Sequence, residues 1–479
     1  MKHTTESAES LERLAAAEQY IASLVERARI AQKQIEFATQ EDVDLMTARV
    51  AWACVQPDFS RKLADFCAEE SGMGHAPDKF LKIQNKVKGV FRDMKGRASV
   101  GVVEISKEKG LMKIAKPMGV VGAVLPVTNS EATPVCKVLF ALKTRNAIVM
   151  APHPRTVQTN AMVVNQARAI LKAFGWPEDL VINVDQVSLE ATKELMRQCD
   201  VVLATGGEAM VKAAYGSTTP SHGVGAGNAV IIVDETADLK ASAALIARSK
   251  TFDNATSCSS ENSLVIQEDI YDEFLKELEA VGGYVVSPEE KSTLQTTMWS
   301  DKGLSPKIVG QSVSTIAKHA GIKLPSGKRF LMIRETGIGK GFPFSGEKLS
   351  VTMTVYKYKD FKDAVAMVDE ITTYSGRGHS AGIHTALDSR VTELALKVSV
   401  SRIMVRQPQS LSNGGSWTNG MPMTLTLGCG SWGNNSTSSN VNWEHLLNYT
   451  WVSFPIPNTQ PSDEELFGSV MHEACLSLV

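Results

Sequence analysis

Apolar positions at Leu11, Leu14, Ala15, Tyr20, Ile21 and Leu24, with Glu, Arg and Lys between them, repeat at the spacing of one helix face. They predict a surface-packed helix from Ser10 to about Leu45. Between Ser99 and Lys116 the period changes to two. Val100, Val102 and Ile105 lead into a Lys107–Gly110 turn, and Leu111 and Ile114 follow it, so a long hairpin is expected. Beyond it, short apolar runs alternate with helical stretches: Val120–Leu125, Ala147–Met150, Leu180–Val184, Val201–Ala204 and Ala229–Val233. Such runs predict a mostly parallel sheet covered on both faces, as in a nucleotide-binding α/β domain. A second alternating set begins after Thr256, with strands near Ser263–Ile266, Thr352–Tyr358 and Ile403–Val405 and helices near Tyr271–Val281, Phe361–Ile371 and Ser389–Ser399. Two α/β domains are therefore expected to meet near Asp253. From Leu411 to Ser439 the chain is rich in Gly, Ser, Asn and Trp and shows neither period.

Length and charge narrow the function. A chain of 479 residues suffices for two or three packed domains, and 43% hydrophobic with 21% charged residues is an ordinary globular composition. The formal charge of −2 offers no broad cationic surface, so nucleic acid is not expected as a partner. No apolar stretch approaches the ~20 residues of a membrane-spanning helix. Met1–Glu9 lacks the apolar core of a secretory signal, and the seven cysteines form no close-spaced pairs, which points to reduced thiols in the cytoplasm.

The sharpest local feature is the polar loop Lys250–Asn262, which places Cys258 where the two domains meet. A thiol there serves as a nucleophile if its surroundings activate it, and otherwise as a small buried apolar residue. Cys54, Cys67, Cys136 and Cys199 sit in apolar patterns and read as packing residues. Asn129 directly follows a strand, and its amide could donate to a developing oxyanion or cap the next helix. Thr205-Gly206-Gly207 ends a strand before a helix expected near Ala209, where a pyrophosphate could lie against the helix N-terminus, although the full Gly-x-Gly-x-x-Gly fingerprint is missing. Gly223-Val-Gly-Ala-Gly-Asn228 permits close backbone approach to a ligand or a tight bend. His379, in the flexible segment Gly376–Gly382, reads as a proton shuttle or as a partly exposed hydrogen-bonding residue. No residue spacing matches a metal site, and no metal is expected.

Together these motifs resemble the CoA-acylating aldehyde dehydrogenases, including the aldehyde dehydrogenase half of bifunctional alcohol/aldehyde dehydrogenases. The likeness runs through Lys143–Ile148, Pro152-His-Pro-Arg155, Ala204-Thr-Gly-Gly207, Met210–Tyr215, Gly223–Asn228, Asp234–Asp238, Ser249–Asn254, Glu347-Lys-Leu-Ser350, Gly378-His-Ser380 and Thr426–Gly433. The chain ends without an iron-dependent alcohol dehydrogenase half, as expected for a stand-alone enzyme. The resemblance implies an aldehyde dehydrogenase fold: a coenzyme-binding domain over 1–98 and 116–254, a catalytic domain over 255–440, and an oligomerisation element from the 99–115 hairpin and the 441–479 tail. It implies that a dimer or tetramer forms through that hairpin. Cys258 becomes the nucleophile, Asn129 with the Cys258 N–H the oxyanion site, and His379 the proton carrier. Thr128, Pro152, His153, Arg155, Thr205, Gly206, Gly207, Val211, Gly225, Gly227 and Glu347 become the cofactor-binding set. The acyl-enzyme thioester would pass to coenzyme A, releasing acyl-CoA.

Three departures sharpen this expectation. Where hydrolytic relatives carry Glu-Leu-Gly-Gly, this chain has Gly223–Gly227 without a carboxylate, so the thioester should await a thiol rather than water. Where those relatives hold the adenosine ribose with Lys and Glu, this chain has His153 and Arg155, so NADP is expected over NAD. The Pro that usually follows Glu-Lys-Leu-Ser is Val351, which can seat that loop differently. Acetaldehyde-using relatives have a neutral residue where Arg406 stands; here Arg406, with Gln407 or Gln409, can fork onto an anionic tail or form a structural ion pair. With the Asn442–Pro457 tail, the chain is most similar to the acylating sulfoacetaldehyde dehydrogenases. Succinate semialdehyde and acetaldehyde are alternative substrates, and a hydrolytic dehydrogenase and a non-catalytic filament subunit are the rival readings.

Overall fold

The stretch expected to be one helix from Ser10 to Leu45 is two, Lys2–Gln34 and Gln40–Val55. Thr39 causes the break. Its hydroxyl accepts from the Asp42 N–H while the Asp42 carboxylate accepts from the Thr39 N–H, a capping box that starts a new helix. Helices Pro57–Ser71 and Ala76–Met94, which the apolar pattern did not reveal, pack against it. The computed structural model describes residues 2–301 and 303–471, with side chains from residue 11 onward. The last eight residues of the expected C-terminal element lie outside this range.

The first sheet holds five parallel strands in the spatial order Val181–Asn183, Ala147–Ala151, Val120–Val124, Val201–Thr205 and Ser221–Val224. In chain order this is 3-2-1-4-5, and the direction of winding reverses between the first and fourth strands. At such a reversal the flanking loops diverge and leave a crevice at the carboxyl ends. The loop reaching Asn129 and the Thr205–Gly207 turn leave the sheet on either side of that crevice.

The second sheet holds seven parallel strands, Gly283–Val285, Phe330–Arg334, Thr352–Tyr358, Glu261–Gln267, Ala229–Val233, Ala381–His384 and Ile403–Val405. Both sheets have the fully buried apolar runs that the continuous pattern predicts. One boundary differs from expectation. Ala229–Val233 pairs with Glu261–Gln267 and Ala381–His384 rather than with the first sheet. The chain therefore crosses between sheets at Gly225–Asn228, not near Asp253. An apolar run matches the interior of either sheet equally well, so the pattern could not assign it.

The expected hairpin is present. Strands Gly101–Ser106 and Leu111–Pro117 pair antiparallel, and Leu447–Ser453 from the tail pairs with the second of them. No described helix is long and apolar enough to cross a membrane.

Candidate active site

Three chain segments enter neighbouring strands of the second sheet from the same edge. Gly225–Asn228 precedes Ala229, Cys258 precedes Glu261, and His379 precedes Ala381. Because these strands are parallel, with Ala381 opposite Val230 and Val230 opposite Ser263, residues two or three places before each strand converge. Cys258 Sγ lies 3.2 Å from His379 Nε2, and His379 Nδ1 lies 2.9 Å from Ser380 Oγ. Gly227 completes the corner. A Cβ there would sit 2.0 Å from the Cys258 carbonyl oxygen and 3.1 Å from His379 Nε2, so only glycine fits.

His379 is fully buried, not partly exposed as its Gly-rich segment suggested. The glycines let the backbone pass closely beside Asn228 and Cys429, and that close passage encloses the ring. Arg402 anchors the segment through its guanidinium, which donates to His379 O at 2.9 Å and to Gly428 O at 2.5 Å. Burial, then the neighbouring Arg402, pushes the imidazole down to about 3. Burial, with Glu347 next in weight, pushes the Cys258 thiol up to about 12, although the residue keeps partial exposure. The pair is thus neutral thiol and neutral imidazole, with the ring nitrogen placed to take the proton when Sγ attacks.

The loop before Cys258 is held in an unusual backbone conformation. Asp253, Asn254 and Ala255 have φ of 49°, 50° and 58°, a region costing L-residues roughly 1–2 kcal/mol each. The N-terminal helices supply the restraints. Asp253 Oδ1 accepts from the His75 N–H at 2.7 Å, Asp78 Oδ2 accepts from the Asp253 N–H at 2.9 Å, and Asn254 Nδ2 donates to Gly74 O at 2.9 Å. Beneath them lies a buried set of two lysines and two carboxylates that the sequence did not reveal. Lys79 and Lys82, one turn apart on Ala76–Met94, each contact both Glu131 and Asp253. Leaving one member of such a set uncompensated costs roughly 3–5 kcal/mol, so it fixes the loop firmly.

Asn129 is 9% exposed, and its side chain does not cap the helix that follows. Its backbone carbonyl, not its carboxamide, accepts from the Ala132 and Thr133 N–H groups. The amide oxygen accepts from Lys82 Nζ at 2.6 Å. Asn129 and Ser257, the residue before Cys258, line a cavity of about 460 Å³ together with Arg248, Phe252, Arg406, Gln407 and Trp417. Arg248, an exposed residue of helix Leu239–Thr251, had no signal in the sequence beyond its charge. Arg406 donates to Thr385 O at 2.6 Å, and Gln407 Oε1 accepts from Asn419 Nδ2 at 2.9 Å.

The remaining predicted residues lie on the loops that follow strands of the first sheet and, for Gly225, Gly227 and Glu347, beside the Cys258 corner. Gly207 is the N-cap of helix Glu208–Tyr215 and offers no side-chain cap, so its first N–H groups face outward. A Cβ at Gly207 or Gly225 would meet nothing within 4 Å, and that open space beside a helix N-terminus fits a dinucleotide pyrophosphate. Thr205 Oγ1 lies 3.3 Å from Thr426 Oγ1, while Val211 packs where a side chain at Gly223 would go. Pro152, His153 and Arg155 follow strand Ala147–Ala151, with Arg155 donating to the Ser71 carbonyl and its N–H to His153 Nδ1 at 3.1 Å. Thr128 O accepts from Lys79 Nζ at 3.5 Å. Glu347 Oε1 accepts from the Gly227 N–H at 3.0 Å, and burial pushes its carboxyl up to about 7. In the loop that ends at Val351, Lys348 Nζ donates to Phe344 O at 2.6 Å and the Lys348 N–H to Asn262 Oδ1 at 3.0 Å. Among the described residues no cluster of His, Cys, Asp and Glu could hold a metal ion.

A doubly wound nucleotide-type sheet together with a partly exposed cysteine on a buried histidine defines an enzyme that combines dinucleotide binding with thiol catalysis. The chain belongs to the aldehyde dehydrogenase family, whose model matches residues 10–339, and within it to the CoA-acylating enzymes. It is 44% identical over 459 residues to a sulfoacetaldehyde dehydrogenase of Acholeplasma sp, covering 95% of this chain and 94% of that one. It is 42% identical to a sulfoacetaldehyde dehydrogenase (acylating) of Cupriavidus necator, covering 95% and 92%. Among solved structures, an acetylating aldehyde dehydrogenase from Geobacillus thermoglucosidasius superposes with a TM-score of 0.89 at 34% identity, over 94% of this chain and 99% of that one. A Rhodopseudomonas palustris propionaldehyde dehydrogenase with bound propionyl-CoA gives 0.82 at 26% identity, over 91% and 94%. An engineered glycolyl-CoA reductase with bound NADP+ also superposes with a TM-score of 0.82 at 25% identity, over 91% of this chain and 96% of that one.

Proposed function

We propose that this enzyme oxidises a short anionic aldehyde, sulfoacetaldehyde, to sulfoacetyl-CoA. The observation that carries the reading is the cavity joining Asn129 and Ser257, the residue before Cys258, to two guanidinium groups, Arg248 and Arg406. Guanidinium matches sulfonate oxygens in a fork, and the names of the Acholeplasma and Cupriavidus necator relatives support the same substrate.

In the proposed reaction His379 Nε2 removes the Cys258 proton as Sγ bonds to the aldehyde carbon. The resulting oxyanion is received by Asn129 Nδ2 and the Cys258 N–H. When bound, the nicotinamide accepts the hydride that converts the hemithioacetal to a thioester. His379 releases its first proton to solvent, and the neutral ring then takes the proton of the coenzyme A thiol, whose sulfur attacks the thioester carbon and displaces the Cys258 thiolate, which recovers the proton from His379. Water competes poorly, because Gly223–Gly227 brings no carboxylate and Glu347, held on the Gly227 N–H, is largely protonated below about 7. Arg155 and His153 beside the crevice favour NADP. The hairpin sheet is assigned to oligomer contacts, and the six described cysteines, all unpaired, suit the cytoplasm.

The test is a panel of sulfoacetaldehyde, succinate semialdehyde, acetaldehyde and propanal, assayed with each nicotinamide, with and without CoA. Turnover should require CoA and be most efficient with sulfoacetaldehyde. Arg406→Leu should raise the KM for sulfoacetaldehyde roughly tenfold, the equivalent of one charge-assisted hydrogen bond, and leave propanal unchanged. Free acid formed at full rate without CoA, or equal KM changes for both aldehydes, would overturn the reading.

A further inference from the structure

We infer that Lys82 is a positioning residue that fixes which end of the Asn129 carboxamide meets the aldehyde oxygen. The inference rests on the oxyanion role proposed for Asn129. Lys82 Nζ lies 2.6 Å from Asn129 Oδ1, 2.5 Å from Asp253 Oδ2 and 3.0 Å from Glu131 Oε1. An ammonium has three protons and no lone pair; two of the protons go to Asn129 Oδ1 and Asp253 Oδ2, while Glu131 Oε1 faces the same charge as an ion-pair partner. A carboxamide has nearly the same shape with its oxygen and nitrogen exchanged, and packing alone does not choose between them. Beside Lys82 the choice is forced. The exchanged rotamer would set an NH2 against an NH3+, losing a charge-assisted bond and adding repulsion.

The nitrogen is correspondingly available. Asn129 Nδ2 makes one long contact, 3.3 Å to Thr128 Oγ1, while Asn129 and Lys82 both line the cavity that reaches Ser257. The same ammonium also grips Asp253, five residues before Cys258 in the left-handed loop that carries the nucleophile. One cation on helix Ala76–Met94 thus sets the oxyanion donor and the nucleophile loop relative to each other. Its charge also polarises the amide, strengthening Nδ2 as a donor when negative charge develops.

The test is a double-mutant cycle on single-turnover acylation, using Lys82→Met, Asn129→Ala and the pair in the full-length enzyme. Lys82→Met should lower kcat at least tenfold, with aldehyde KM and nucleotide Kd within about threefold of wild type. In the Asn129→Ala background the same change should cost less than about threefold, because the amide it orients is gone. If Lys82→Met prevents folding, Lys82→Met with Glu131→Gln removes one buried charge of each sign, and the cycle is run on that pair. Equal losses in both backgrounds, or an unchanged kcat, overturn the inference while leaving the role of Asn129 intact. An Asn129→Ala enzyme with wild-type kcat removes the oxyanion assignment itself, and the inference falls with it.

Discussion

The neutral state of Cys258 and His379 has a measurable consequence. With the thiol near 12 and the imidazole near 3, no titration of either group falls between pH 6 and 10. In that interval the thiolate fraction rises about tenfold per pH unit. Iodoacetamide modification of Cys258 in nucleotide-free enzyme, followed by peptide mass spectrometry, should therefore accelerate about tenfold per unit with no plateau. A thiolate–imidazolium pair would give a plateau above pH 6 or 7, and its observation would refute the neutral assignment. At this scale, chain pattern exposed Cys258 through its polar loop, and Asn129 and His379 mainly through likeness to known enzymes. Lys79, Lys82 and Asp253 stayed hidden because their partners lie about 50 to 180 positions away. A buried lysine and an exposed one on a helix look the same until the partner arrives. Arg248 escaped for the opposite reason, being one charge on a helix of ordinary composition.

Glycines in the crossing between the sheets have separable tasks. Gly227→Ala would drive a Cβ into the Cys258 carbonyl at 2.0 Å, so the nucleophile loop must shift against its lysine restraints. Overpacking of this kind costs ~1–3 kcal/mol. The variant should show a lower melting temperature and at least a tenfold lower kcat. Gly225→Ala meets nothing within 4 Å and should melt as wild type, yet raise the nucleotide KM by narrowing that open space. If the two variants behave alike in scanning calorimetry and steady-state kinetics, the division is wrong. Elements in this region were only partly readable. Apolar runs such as Val120–Val124 and Thr352–Tyr358 revealed themselves by continuity. Ser221–Val224, with one strand-favouring residue in four, is a strand because Val202–Thr205 supplies a parallel partner. Phe330–Arg334 was overlooked beside the charged Lys328 and Arg329, though its burial between two neighbours makes it central to the second sheet.

Across the whole molecule, local pattern anticipated two α/β units and a hairpin but misplaced the crossing, because a sheet's membership is a matter of long-range pairing. The hairpin raises the remaining question of what covers it. Gly101–Ser106 is the outer strand of a three-stranded sheet, and its far side pairs with no described strand. An unpaired edge bearing apolar side chains invites another strand. Val102 and Ile105 on this strand are 47% and 65% exposed. Burying that edge against a second copy would extend the sheet across subunits and remove these side chains from water. Val102→Lys with Ile105→Lys should therefore reduce the sedimentation mass at micromolar concentration. The far-ultraviolet circular dichroism and the Cys258 alkylation rate should stay unchanged, since neither lysine approaches the cleft. An unaltered mass would place the subunit contacts elsewhere and leave the exposed hairpin without a role in assembly.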